Sequence, residues 1–197
     1  MVRHLLVNTA LVVLVACLFT GVPPVAQSQL PAGELYEKGS IQQPFSFDDD
    51  DCGFTVHVEG NRRERFEIHT VPGSAGQAYL AHRRYSYRKV ITNPATGKTM
   101  SVSGRGQVRE LQATHVAGDD WEVLTEESGS PFVVRDATGR VVHADRGDLV
   151  IRTVRDTFGD GRPSSEEVER EVVRTVGHFP SMADDFDYCA LVARLTG

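Results

Sequence analysis

Four consecutive aspartates, Asp48, Asp49, Asp50 and Asp51, directly precede Cys52, and Asp184, Asp185 and Asp187 stand just before Cys189. If the two cysteines form a disulfide, seven carboxylates converge near one end of the domain. Hard cations such as Ca²⁺ take roughly six to eight oxygen ligands at about 2.3–2.6 Å, and clustered carboxylates supply them. The plainer reading is a solvated acidic patch that spreads its charges apart. Ca²⁺ is the only cofactor these residues suggest.

Other chemistry is weaker. No serine sits in a G-x-S-x-G turn, and there is no H-E-x-x-H, no C-x-x-C and no phosphate-cradling glycine loop, so no catalytic residue is assigned. His57 and His69 flank what reads as one hairpin and could meet across it to bind a metal, or stand as two solvated histidines. The run from His82 to Lys89 interleaves basic residues with Tyr85 and Tyr87. It could stack and bind an anionic polymer, but reads more simply as a strand with tyrosines inward and arginines outward.

The N-terminus addresses the compartment. Arg3 precedes an apolar run from Ala10 to Val22, which is shorter than the roughly 20 residues that span a membrane. Ala26-Gln27-Ser28 places small residues for signal cleavage, so residues 1–28 read as a signal peptide and the chain as secreted or extracytoplasmic. Leu14-Val15-Ala16-Cys17 resembles a bacterial lipobox. In that alternative Cys17 is lipidated and the protein is anchored at the cell surface, its one route to a membrane. Either cleavage leaves Cys52 and Cys189, which should be paired in an oxidising compartment.

Removing residues 1–28 takes Arg3 from the 21 basic residues and nothing from the 27 acidic ones, so the net charge moves from −6 to about −7. Such a balance argues against nucleic acid, which selects basic surfaces. What remains is one domain's length.

The elements are read from alternation. Residues 29–46 mix Pro, Gly, Ser and Gln and read as a flexible tether, leaving 47–197 as a single domain. Phe54, Val56 and Val58 alternate with polar residues. Gly60-Asn61 reads as a turn, and Phe66, Ile68 and Thr70 resume the alternation. Strands follow near 83–92 and 99–116, with Asn93–Lys98 as a turn between them. Trp121–Glu126 and Phe132–Asp136 read as separate strands around a Gly129–Pro131 turn. Short strands follow near 140–144 and 149–156. Residues 166–179 suit either a last strand or a helix, and 184–195 a short helix carrying Cys189. Closely spaced turns indicate an antiparallel meander. About eight hairpin-linked strands would lose their edges by closing into a barrel, with a β-sandwich as the alternative. The expected core includes Phe54, Val56, Phe66, Ile68, Tyr87, Val102, Trp121, Phe132, Leu149 and Ile151.

The meander, the turn Asn93–Lys98 and the closing Asp187-Tyr188-Cys189-Ala190 resemble exported bacterial β-proteins, with an architecture similar to allene-oxide-cyclase-like and lipocalin-like barrels. The resemblance implies a barrel with a lumen and carries over no site residue. The expected function is non-covalent binding of a small ligand or a cell-envelope component. The alternatives are a cyclase- or isomerase-type enzyme using the lumen, and a structural envelope protein. Oligomeric state is left open.

Overall fold

The computed structural model describes residues 33–163 and 165–197. Cys17 and the whole signal segment therefore lie outside the described residues. The elements are β1 (Leu35–Asp49), β2 (Val56–Thr70), β3 (Tyr79–Thr92), β4 (Thr99–Ala117), β5 (Asp120–Arg135), β6 (Val141–Ala144), β7 (Arg146–Asp156), β8 (Glu166–His178), a 3-10 turn at Pro180–Met182 and α1 (Tyr188–Thr196). One antiparallel sheet runs in the order β1-β2-β3-β4-β5-β7-β8, with β6 beside the last residues of β5. The all-β meander with a short C-terminal helix is therefore as expected, and the single sheet is not a sandwich.

Closure by hydrogen bonds is not what the structure shows. Among the described residues no ladder joins β1 to β8. The expectation rested on edges being a liability, yet edges are also protected by charge and by proline. β8 is exposed at every position and carries Glu166, Glu167, Glu169, Arg170, Glu171 and Arg174, while β1 carries Pro44.

Three local expectations change. Residues 35–46, read as tether, form most of β1 and pair with β2 from Leu35↔His69 to Asp49↔Val56. Gly60 does not turn the chain, since β2 runs through it. Gly129 does not either: β5 continues, with Gly129 at φ 133° facing Gly106 across the ladder. All three misreadings share a cause. Glycine and proline serve edge strands and close backbone approaches as well as turns. Residues 166–178 are strand, which settles that ambiguity.

The core lies at one end of the curled sheet, beneath α1. Val56, Val58, Ile91, Met100, Val102 and Val134 pack there against Leu191 and Val192 of the helix. Asp187 caps α1 by accepting the Ala190 N–H at 2.9 Å. The Thr96 hydroxyl donates to the Thr196 carbonyl and Lys98 Nζ to the Gly197 carbonyl, tying the helix end to the β3–β4 turn. Cys52 and Cys189 are bonded, with Cα atoms 5.1 Å apart, and fix the helix start to the β1–β2 turn. Buried Asp145, at the break between β6 and β7, accepts from the backbone N–H and the hydroxyl of Ser181 and so holds the 3-10 turn.

Candidate ligand-binding cleft

Period-two alternation places Tyr79, Ala81, Arg83, Tyr85, Tyr87 and Lys89 of β3 on one face. That face is the concave one, because Ile91 continues the series into the core. Opposite Tyr87 and Tyr85 on β4 stand Gly104 and Gly106. A Cβ at Gly104 would lie 2.4 Å from Tyr87 Cε1, and one at Gly106 would lie 3.1 Å from the Tyr85 hydroxyl. The rings therefore lie flat across β4 and reach β5, where the Tyr87 hydroxyl donates to the Pro131 carbonyl at 2.8 Å. Tyr85 donates to Glu127 Oε1 at 2.6 Å. Phe45 lies over Gly60 and Phe66 over Gly39 in the same way. Aromatic rings laid on cross-strand glycines make a low floor in place of a filled core.

Above that floor is a cleft of about 730 Å³, within the range of small-molecule sites. Phe45 and Phe47 of β1, Phe132 of β5 and Tyr188 of α1 form its apolar walls. Its charged groups are Arg62, Glu64, Arg83, Lys89 and Glu127. Arg62 is ion-paired to the buried Glu64, and Glu127 keeps its charge while accepting from the neutral Tyr85, so Arg83 and Lys89 together leave the cleft net positive. Burial pushes the Lys89 ammonium down from its usual range, against the opposing pull of Asp49. Its Nζ lies 5.8 Å from the centre of the Tyr188 ring.

Farther along the same concave face is a second compartment of about 220 Å³. It exists because β4 peels from β3. The β3–β4 ladder ends at His82↔Arg109, and a bulge follows between Glu110 and Gln112. The Glu110 carboxylate fills the gap, accepting the Ala81 N–H at 2.6 Å and Arg155 Nη1 at 2.6 Å. Arg83 lines both compartments.

Burial raises the phenols of this face. Tyr87 is pushed up to about 12, first by desolvation and then by the charges of Tyr188, Asp145 and Glu127. Tyr85 rises further, through burial and its bond to Glu127, and Tyr188 rises through burial and Asp49. A phenol whose folded pKa exceeds its unfolded value near 10 stabilises the fold fully below that pH. The contribution is lost as pH rises from 10 through about 12. Ultraviolet titration of the folded protein should show these three tyrosines ionising late and together with alkaline unfolding. One early wave containing all five tyrosines would contradict this.

The seven aspartates are brought to one end of the domain, but not to one metal-ligating group. Among the described residues no set of three or more His, Cys, Asp or Glu side chains is arranged to hold a metal ion. Each resolved partner is local. Asp48 Oδ1 meets His57 Nδ1 at 2.8 Å, Asp49 Oδ1 accepts the Asp51 N–H at 2.9 Å, and Asp187 caps α1. Asp50, Asp51, Asp184 and Asp185 are exposed. The disulfide fixes how close the two segments come, and the turn and the helix cap then commit Asp49 and Asp187 to nearby backbone N–H groups. His57 and His69 lie on the same strand, β2, and cannot meet: His69 Nδ1 bonds instead to the Gly33 carbonyl at 3.2 Å.

Sequence reading missed Arg83 and Lys89 as interior groups, although both share the parity of the two tyrosines. It also missed β1 as a cleft wall. Comparison with protein families, with curated proteins and with solved structures finds no match for this chain.

Proposed function

We propose that this chain is an extracytoplasmic carrier or receptor that binds a small amphipathic molecule non-covalently, on the tyrosine-floored concave face. The relation to lipocalin-like barrels, the signal peptide at 1–28 and the alternative lipid anchor at Cys17 belong to the same proposal. The disulfide supports the compartment, since such bonds persist where thiols are oxidised. One observation carries the binding role. A cleft of about 730 Å³ is left open above three aromatic rings lying on glycines, Phe45, Tyr85 and Tyr87, where larger residues would have made a solid core. Its walls are aromatic, Tyr85 and Arg62 are held by Glu127 and Glu64, and Arg83 and Lys89 are left to meet a ligand's polar end, which suits non-covalent binding.

The test is uptake of a neutral fluorescent apolar probe, N-phenylnaphthylamine, by the oxidised protein. Val108 lines the cleft and Arg109 beside it points outward. Val108→Trp should weaken probe binding by about tenfold or more through lost volume, while Arg109→Trp should leave it unchanged. Equal binding by both variants, with far-ultraviolet dichroism intact, would remove the cleft as the site.

A further inference from the structure

The smaller compartment differs in chemistry from the cleft it adjoins. Three guanidinium groups line it, from Arg83, Arg155 and Arg162, against the single carboxylate of Glu110. Glu110 is committed to Arg155 and to the Ala81 N–H. Among the described residues neither Arg83 nor Arg162 has a carboxylate within ion-pair distance of its guanidinium. Two cationic heads are therefore left without a counter-charge around a space of about 220 Å³.

Hydrogen bonding points the same way. Arg83 Nε, Trp121 Nε1 and Thr125 Oγ1 are buried with no partner among the described residues. Trp121 and Thr125 are themselves more than nine-tenths buried. Buried donors are nearly always satisfied, and Arg83 and Trp121 both line this compartment, so their unpartnered N–H groups mark a place where acceptors are missing. The loop after β7 closes over this space, with Thr157, Arg162 and Ser165 in its wall, and the Tyr79 hydroxyl holds it by donating to the Gly161 carbonyl.

We infer that this compartment receives an oxyanion headgroup (a phosphate, sulfate or carboxylate) on an amphiphile whose apolar body lies along the tyrosine floor. The inference rests on the cleft being the binding site. Planar, permanently charged guanidinium groups suit such anions in a partly enclosed space. Arg83 stands at the junction, where head and body would meet, and Arg162 sits at the exposed mouth of the headgroup pocket.

Trp121 is the chain's one tryptophan and lines this compartment, so its fluorescence reports the pocket directly. The oxidised protein is titrated with dodecyl phosphate below its micelle concentration, with dodecanol and with inorganic phosphate. Dodecyl phosphate should bind about tenfold or more tightly than dodecanol and perturb Trp121, and inorganic phosphate should bind far more weakly. Arg83→Met should abolish the preference for dodecyl phosphate over dodecanol. Arg162→Met, at an exposed position outside the cleft, should reduce the preference while dodecanol binding persists, and serves if the first variant does not fold. Equal affinity for dodecanol and dodecyl phosphate overturns the headgroup pocket and leaves the cleft standing. Inorganic phosphate binding as tightly as dodecyl phosphate overturns the pairing of head and body. Binding of none of the three overturns both the pocket and the cleft.

Discussion

Cys52→Ala combined with Cys189→Ala is expected to lower the unfolding free energy by about 4–5 kcal/mol, on the loop-entropy estimate. The bond joins positions 137 residues apart, so it constrains nearly the whole described chain when unfolded. Its local role adds to this. α1 has only nine residues, too few to persist alone in water, yet Leu191 and Val192 complete the core under the sheet. The anchors left at its far end are two hydrogen bonds to the Thr196 and Gly197 carbonyls, each worth about 1 kcal/mol. They are too weak to compensate. Since domains of this size are stable by about 5–15 kcal/mol, the variant should sit near the lower limit of foldedness. Urea unfolding, followed by Trp121 fluorescence and by far-ultraviolet dichroism, measures the loss. A change below about 1 kcal/mol would show that α1 docks without its covalent tie.

The disulfide was legible because it needed only two cysteines and a compartment. The strand faces were partly legible for a similar reason. Parity alone puts Val56 and Val58 on one face of β2, and both are buried. The same parity puts Arg83 and Lys89 with Tyr85 and Tyr87, but charge suggested an outward direction that only Arg84 and Arg88 follow. Where reading failed, the deciding information was in another strand. Gly60 and Gly129 look like turns locally. Only the register shows Gly60 under Phe45 and Gly129 against Gly106. β1 was hidden in the same way, by Gly39 and Pro44, whose tolerance depends on its being an edge. The headgroup pocket was out of reach because it comes from β4 leaving the β3 ladder, a non-local event. The aspartates mark a different limit. Proximity through a bond says where backbones meet and leaves open which way carboxylates turn.

Gly104→Ala tests whether the glycine floor is what shapes the cleft. Gly104 has no positive φ, so alanine is allowed by the backbone, and removing a strand glycine should by itself stabilise by about 0.5–1 kcal/mol. Space decides otherwise. The added carbon would lie 2.2 Å from the Pro131 carbonyl oxygen and 2.4 Å from Tyr87 Cε1. The ring must lift, but the carbonyl belongs to the neighbouring strand and cannot move without disturbing the β4–β5 ladder. Overpacking of this kind costs about 1–3 kcal/mol, and losing the Tyr87 hydroxyl bond to Pro131 adds about 1 kcal/mol. The net expectation is a loss of about 1–3 kcal/mol, opposite in sign to the propensity gain. A lifted Tyr87 would also stand in the cleft, so probe affinity should fall together with stability. Ser103→Ala, on the outward face of β4, should change neither. If Gly104→Ala is as stable as the parent and binds the probe equally well, the tyrosine floor does not depend on that glycine, and the open concave face must be held by the curl of the long strands alone.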